Sequence, residues 1–190
     1  MTEIPEDLQN AIRFLKEGKV ILYPTDTIWG IGCSAQFPMA VHRIFEIKQR
    51  PPEKSLILLV DSIQMLKKYV QNIHPRVETL MSYHNRPLTI IYPNAKNLDP
   101  AILSKDGSIA IRLCLDPFCQ ALIQGIDAPL ISTSANISQF PTPANFKDIQ
   151  NEIIIAVDYV VKHRQSALEP GEPSMIITYD TEGELIFIRN

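Results

Sequence analysis

Two cationic side chains, Lys48 and Arg50, lie at the end of a predicted helix and are separated by one residue, Gln49. A compact ammonium beside a planar guanidinium is well suited to binding a polyphosphate. Pro51 and Pro52 end the helix, and they would hold the two side chains in one direction. Lys54 and Ser55, just beyond them, could extend such a site. The structural alternative is that the two cations only complement the dipole of the helix.

Two further segments carry small hydrogen-bonding side chains directly after predicted buried strands. Residues 132–136 follow a strand that begins at Pro129, and residues 25–27 follow a strand that ends at Tyr23. Hydroxyl groups at the end of a strand often face a ligand crevice in open α/β sheets, and a loop of small residues can wrap phosphates. Each segment could also be an ordinary turn. Together with the two cations, they predict three sides of one anion-binding cleft.

The usual nucleotide-binding and nucleophile motifs are absent from the sequence. It contains no G-x-x-x-x-G-K-[ST], no G-x-G-x-x-G and no G-x-S-x-G. The four histidines lack the spacing of metal ligands: His42, His74, His84 and His163. The sequence therefore indicates chemistry that depends on positioning and charge neutralisation more than on a covalent nucleophile.

Length and composition limit the class of protein. The 190 residues, of which 45% are apolar and 21% charged, fit one globular domain over residues 1–190. A net charge of −3 argues against a protein that mainly coats nucleic acid. Three cysteines without a Cys-x-x-Cys motif argue against a zinc ribbon and fit a reducing cytoplasm. The N-terminus does not resemble a signal peptide, and no apolar run approaches the ~20 residues that span a bilayer, so we expect no membrane association.

Helices and strands alternate along most of the chain. Apolar periodicity and turn signals predict helices over 5–17, 39–48, 61–70, 75–83, 117–124 and 145–150. Strands are predicted over 20–23, 28–33, 56–60, 88–92, 108–113, 129–132, within 153–161, and over 175–178 and 185–188. Because strands dominate the end of the chain, we expect an α/β protein with a mixed parallel and antiparallel sheet.

One predicted strand is apolar around a single arginine, Arg112. An arginine in such a strand must either point to solvent at a sheet edge or reach a buried anion. A buried guanidinium without a partner is too costly to keep. Both alternatives stay open at the level of the sequence.

Taken in chain order, these segments resemble the YrdC-type family, the threonylcarbamoyl-adenylate synthases that start the threonylcarbamoyl modification of tRNA. The matching segments cover nearly the whole chain: 23–27 with Gly30 and Gly32, 48–51, 86–89, 109–113, 129–138, 171–174 and 188–189. The signature of the family is Lys-x-Arg combined with Ser-x-Asn, here at 48–50 and 134–136. The length is that of the short, single-domain members. Three positions depart from the family pattern: Cys114, Gln139 and Met175.

The resemblance implies a fold, a reaction and partners. The fold would be an open, twisted, mixed sheet with flanking helices and a central concave cleft. The reaction would convert ATP, L-threonine and bicarbonate into threonylcarbamoyl-AMP and pyrophosphate, with Mg²⁺ accompanying the ATP and no metal held by the protein alone. The protein would be cytoplasmic and would supply the downstream transferase machinery that modifies tRNA.

The resemblance also implies roles for individual residues. Lys48 and Arg50 would be catalytic and would hold the triphosphate. The other ATP-binding residues would be Ser132, Ser134, Asn136 and Arg189. The threonine-binding residues would be Thr27, Arg112 and Ser174.

Other functions compete with this one. An RNA-binding module in translation or ribosome assembly, with tRNA or double-stranded RNA as its partner, fits the concave basic surface of the family. The net charge and the lack of basic runs weigh against it. A relative that keeps the cleft without the activity is a further alternative. So is the carbamoyl-adenylating part of a hydrogenase maturation factor, but the zinc-finger and acylphosphatase segments of such a factor are missing here.

Overall fold

The computed structural model describes residues 5–51, 56–83, 85–167 and 171–189. The possible extension of the cation site at Lys54 and Ser55 therefore lies outside the described residues, as does His84. Within them, helices pack against one face of a large sheet, and a cavity opens on the other face. No helix in this part of the chain combines the length and the hydropathy that a membrane crossing requires.

The described residues form six α-helices and two short 3₁₀ helices. The α-helices are α1 (Glu6–Lys16), α2 (Pro38–Ile47), α3 (Ile63–Leu66), α4 (Pro75–Tyr83), α5 (Pro117–Ile126) and α6 (Asn151–Ala156), and the 3₁₀ helices are Pro100–Ile102 and Phe146–Asp148. Capping fixes several of their starts. In α5, for example, Pro117 occupies the first turn, and the carboxylate of Asp116 accepts a hydrogen bond from the backbone N–H of Cys119 at 3.0 Å.

Nine strands in the described residues form one sheet. They are β1 (Ile21–Tyr23), β2 (Gly30–Ser34), β3 (Ile57–Val60), β4 (Leu88–Tyr92), β5 (Ile109–Leu113), β6 (Leu130–Ser134), β7 (Tyr159–Val160), β8 (Met175–Tyr179) and β9 (Leu185–Arg189). Their order in the sheet is β7-β1-β2-β6-β3-β5-β4-β8-β9. The pairs β1–β7, β3–β5 and β4–β8 are parallel and the other five are antiparallel, which confirms the mixed sheet expected from the sequence.

Two expectations about secondary structure were wrong and a third was confirmed. The helix predicted over 61–70 ends at Leu66, because the chain then leaves the helix and Val70 forms a bridge with Ala95. The region 153–161 does contain the predicted strand, the two residues of β7, after the end of α6. The strand predicted over 129–132 continues to Ser134, because all five residues of β6 pair with β2. Ser132 and Ser134 are therefore strand residues and not part of a phosphate-wrapping loop.

Alternation along the central strands separates a helix-covered face from a cavity face. The helix-covered face carries buried apolar residues from neighbouring strands: Ile31, Leu58, Ile90, Ile111, Ile131 and Ile177. Their neighbours along each strand point to the opposite face, because side chains alternate in a strand. The sheet thereby holds the polar residues of β5 and β6 at fixed positions on the open face.

Candidate active site

The floor of the cavity is built from two rows of side chains that run across the sheet. In the first row, Ser132 lies beside Ile57, Ile57 beside Ala110, and Ala110 beside Ile91. The second row contains, in order, Leu59, Arg112, Thr89, Ile176 and Arg189. Residues paired across strands share a face, so both rows point into the same cavity of about 250 Å³.

Three arginines give this cavity its electrostatic character. Arg50, Arg112 and Arg189 line it, and the described lining residues include no aspartate, glutamate or lysine. Hydroxyl groups of serines and threonines supply the other polar atoms: Thr25, Thr27, Ser132, Thr133, Ser134 and Ser174. A partly enclosed, positively charged site with hydroxyl groups favours an anionic ligand.

Arg112 is buried, with a relative exposure of 4%. Its Nη1 donates a hydrogen bond to Oγ1 of Thr27 at 2.9 Å, and its Nη2 lies 3.2 Å from Oδ1 of Asp26. The contact with Asp26 is an ion pair without hydrogen-bond alignment, because neither carboxylate oxygen of Asp26 has a hydrogen-bond partner within the described residues. Of the two alternatives left open by the sequence, Arg112 therefore takes the second: it reaches a buried anion, the carboxylate of Asp26. Its Nε is buried and also has no hydrogen-bond partner in this part of the chain.

The loop that carries Thr27 is ordered by Thr25. Oγ1 of Thr25 donates to the carbonyl of Ile28 at 2.8 Å and accepts from the backbone N–H of Thr27 at 3.0 Å. From behind the loop, Arg164 donates to the carbonyl of Thr25 at 3.4 Å while it forms an ion pair with Asp116 at 2.6 Å. The sequence indicated the hydroxyl groups of this loop, but Arg164 and Asp116 gave no signal, because they are distant in sequence.

Arg189 and Ser174, predicted for different ligands, lie together. Nε and Nη2 of Arg189 donate to the backbone carbonyl of Ser174 at 3.1 and 2.6 Å. The hydroxyl of Ser174 shares a hydrogen bond of 2.7 Å with that of Thr89. Burial and the nearby charge of Arg112 lower the pKa of Arg189. Two guanidinium groups that repel each other in this way would both be stabilised by an anion in the cavity.

Lys48 does not point into the cavity. It is only 1% exposed, and its Nζ donates to the backbone carbonyls of Ser134 and Asn136, the latter at 2.7 Å. Its own carbonyl accepts from the N–H of Ser138 at 2.8 Å. Burial, with a smaller contribution from the charge of Arg50, lowers the pKa of Lys48 to about 7. Lys48 thus fixes the turn formed by residues 134–138 from beneath.

The expectation that Lys48 and Arg50 point in one direction was wrong, for a reason in the backbone. Helix α2 ends in a Schellman motif, in which the N–H of Arg50 bonds to the carbonyl of Phe45 and the N–H of Gln49 to that of Glu46. Gln49 takes the left-handed conformation that this motif requires, with φ of 48°. The reversal sends Lys48 under the turn, whereas Nη1 of Arg50 lies 3.3 Å from Oγ1 of Thr133 at the cavity.

Asn136 stabilises the same turn. Its Nδ2 donates to the carbonyls of Ile137 and Phe140 at 3.1 and 2.7 Å, and its Oδ1 lies 3.5 Å from Nζ of Lys48. Asn136 and Lys48 are the two predicted site residues that do not line the cavity. The other predicted residues do line it: Thr27, Arg50, Arg112, Ser132, Ser134, Ser174 and Arg189.

The backbone of Gly171 packs directly against the backbone of the loop that carries Thr27. A Cβ atom at position 171 would lie 1.6 Å from the carbonyl oxygen of Thr27, which no backbone can tolerate without moving. We therefore expect Gly171→Ala to displace Thr27 and to weaken the ligand site beside Arg112 by about 10-fold or more. The measurement is the affinity for the amino-acid substrate proposed below. Gly107→Ala is the control for backbone strain away from the cavity, because Gly107 has φ of 78° but nothing lies within 4 Å of a Cβ atom there. An unchanged affinity in Gly171→Ala would show that the loop position does not matter.

The fold and the site together define a class: an α/β protein whose open sheet face carries a cavity, lined by arginines and hydroxyl groups, that is suited to a small anionic ligand. The family profile Sua5_yciO_yrdC, described as "Telomere recombination", matches residues 13–190 of this chain. The chain belongs to this family, which confirms the resemblance stated from the motifs.

Similar proteins and structures agree with this assignment. The chain is 36% identical over 155 residues to a threonylcarbamoyl-AMP synthase of Pseudoalteromonas translucida, covering 80% of this chain and 82% of that protein. It is 33% identical over 151 residues to a threonylcarbamoyl-AMP synthase of Photobacterium profundum, covering 78% of this chain and 82% of that protein.

Among solved structures, the chain resembles P. abyssi Sua5 complexed with L-threonine, with a TM-score of 0.84 and 27% identity over 98% of this chain. The chain spans only 55% of that longer protein. It also matches the crystal structure of E. coli YciO, with a TM-score of 0.83 over 99% of this chain and 91% of the other. At 24% identity, the latter likeness shows the fold alone.

Proposed function

We propose that this chain is an L-threonylcarbamoyladenylate synthase, which forms threonylcarbamoyl-AMP and pyrophosphate from ATP, L-threonine and bicarbonate. The observation that carries the proposal is the cavity lined by three arginines and several hydroxyl groups. It occurs in a chain whose relatives at 33% and 36% identity are named threonylcarbamoyl-AMP synthases. The likeness to a Sua5 structure with bound L-threonine adds support for the amino-acid substrate.

The reaction has two bond-forming steps. The amine of threonine attacks the carbon of bicarbonate, and loss of water gives a carbamate. A carbamate oxygen then attacks the α-phosphorus of ATP in line, while the bond to the leaving pyrophosphate breaks. Such a reaction needs aligned reactants and neutralised phosphate charge more than it needs a covalent nucleophile.

The positions of the cavity residues suggest two sides of the site. Arg50 and the hydroxyls of Ser132 and Ser134 would bind the phosphates. Arg112, with Thr27 and Ser174, would bind the carboxylate of threonine or the carbamate. Arg189 lies next to Ser174 and would lend its charge to both ligands. Lys48 and Asn136, buried under the turn at 134–138, would support ATP binding by fixing that turn.

The metal would arrive with the nucleotide. The described residues contain no group of three or more histidine, cysteine, aspartate or glutamate side chains that could hold a metal ion. Mg²⁺ commonly binds through substrate phosphates and keeps several of its waters. We therefore assign Mg²⁺ to the phosphate oxygens of ATP, where it would neutralise the charge of the leaving pyrophosphate.

The product would be consumed by the transferase machinery that modifies tRNA, in the cytoplasm. The net charge of −3 gives no reason to expect tight RNA binding by this chain itself. The adenylate is a reactive mixed anhydride, so a transfer partner is expected to take it up promptly.

Pyrophosphate release tests the proposal. We expect release only when ATP, Mg²⁺, L-threonine and bicarbonate are all present, and we expect threonylcarbamoyl-AMP to accumulate in equal amount. Omitting each component in turn is the control. Equal release without threonine would contradict the synthase function. Steeply salt-dependent RNA binding without any ATP chemistry would instead favour the RNA-binding alternative.

A further inference from the structure

Tyr23, the last residue of β1, is fully buried beside the cavity floor, on the same face of the sheet as Gly30 and Ser132. Its hydroxyl donates a hydrogen bond to Oγ of Ser132 at 2.8 Å. Burial raises the pKa of Tyr23 well above its ordinary value, so the phenol stays neutral and keeps its hydrogen. Tyr23 does not line the cavity itself, so it reaches a ligand there through Ser132.

Two glycines make this contact possible. A Cβ atom on Gly32 would lie 2.8 Å from Cε1 of Tyr23 and 2.3 Å from the carbonyl oxygen of Ile131. A Cβ atom on Gly30 would lie 3.1 Å from Oγ of Ser132. The bare backbone of β2 therefore leaves room for the tyrosine ring and for the serine hydroxyl. This accounts for the two glycines, separated by Ile31, in an otherwise bulky segment of the sequence.

The hydrogen bond from Tyr23 limits what the Ser132 hydroxyl can do. A serine hydroxyl offers one hydrogen and two acceptor positions. Tyr23 occupies one acceptor position of Oγ. The hydroxyl hydrogen of Ser132 can therefore still be donated, and no acceptor for it is found within the described residues. Ser132 lies on the floor of the arginine-lined cavity, where an anion is the expected ligand.

We propose that Tyr23 is a positioning residue that, by donating to Oγ of Ser132, turns the hydroxyl hydrogen of Ser132 toward a phosphate oxygen in the cavity. The inference rests on the proposed function in one respect, because it takes the phosphate to be that of ATP. It adds a residue outside the cavity whose effect on nucleotide binding passes entirely through one hydroxyl group.

A double-mutant cycle tests this coupling, read as the affinity for Mg²⁺-ATP by calorimetry without threonine. Tyr23→Phe removes only the donating hydroxyl, and we expect it to weaken ATP binding by about three- to tenfold, the effect of one net hydrogen bond. In the background of Ser132→Ala, which itself weakens binding, the same change should have no further effect.

Tyr92 supplies a matched control. It is also a fully buried tyrosine with a hydrogen-bonded hydroxyl, but its partner is Sδ of Met81 at 3.1 Å, and it does not line the cavity. Tyr92→Phe should therefore leave ATP affinity unchanged while it produces a comparable change in stability. The pair of variants separates an effect on the ligand from a general effect of losing a buried hydroxyl.

Several results would overturn the inference. They are an unchanged ATP affinity in Tyr23→Phe or in Ser132→Ala, an equal loss in Tyr92→Phe, or a loss from Tyr23→Phe that persists at full size in the Ser132→Ala background. The test is independent of turnover. A protein that binds ATP with the expected coupling but releases no threonine-dependent pyrophosphate would retain the role of Tyr23 and reject the synthase function.

Discussion

Lys48→Met should lower the free energy of unfolding by about 2 kcal/mol, because it leaves the backbone carbonyls of Ser134 and Asn136 buried without their donor. For a chain of this size the loss corresponds to a fall in melting temperature of roughly 4–8 °C. Methionine keeps most of the volume of the lysine stem, so the change mainly removes hydrogen bonds. Lys48→Ala should cost more, since it also leaves a cavity.

The stability difference between wild type and Lys48→Met should depend on pH. The pKa of Lys48 is about 7 in the folded protein, below the ordinary value of 10.5 that applies to the unfolded chain. Between these values the unfolded chain binds more protons, so this group makes stability rise with pH across that window, and the rise is absent in Lys48→Met. Below about pH 7 both states are protonated, and the cost of burying the charge is fully present.

Denaturant unfolding of the two proteins at several values between pH 7 and 9 measures both effects. Turnover should fall together with stability, because the turn at 134–138 would loosen. A melting temperature equal to that of wild type would mean that Lys48 does not hold this turn. A stability difference that is the same at every pH would mean that folding does not lower the pKa of Lys48.

Much of the fold and most of the polar residues that line the cavity could be predicted from the sequence. Short apolar runs separated by turn signals gave the central strands, and the polar residues at their ends pointed to one crevice. Ser132, Ser134 and Arg112 do meet there, because β3 pairs with both β5 and β6 and sets them at fixed lateral spacing. Their individual roles in binding stay predictions.

The direction of Lys48 could not be predicted, because it depends on one unusual backbone conformation. A Schellman motif normally has glycine at the left-handed position, and here that position is Gln49. Gln139, at one of the departures from the family pattern, also has positive φ, of 73°. Glutamine carries no sequence signal for this conformation, since only glycine and, less often, asparagine or aspartate adopt it readily.

The partners of buried polar groups could not be predicted from the sequence either. Asp26 pairs with Arg112 across 86 positions of sequence, and Tyr23 reaches Ser132 across 109. Such contacts follow from strand order, and strand order in a mixed sheet is not fixed by local patterns. The sequence therefore indicated that Arg112 would find an anion, but it could not indicate that Asp26 would be that anion.

Arg112→Ala should raise the KM for threonine by a factor on the order of 10–100, equivalent to about 1.5–3 kcal/mol for a charged hydrogen bond. The physical reason is the loss of a planar guanidinium that lines the cavity and can bind a carboxylate. Apparent ATP affinity measured without threonine should change little. Arg112→Lys should recover only part of the loss, because an ammonium cannot make a two-pronged contact. Titrating threonine at saturating ATP gives these values.

The buried ion pair with Asp26 requires a further variant before the loss can be assigned to the ligand. Arg112→Ala leaves the carboxylate of Asp26 buried without its cation, and removing one partner of a buried pair costs about 3–5 kcal/mol of stability. The double variant Arg112→Ala with Asp26→Asn removes both charges and should regain much of that stability. Its KM for threonine should nevertheless stay high, because the guanidinium is still missing. A double variant that regains both stability and a wild-type KM would show that Arg112 only keeps the protein folded.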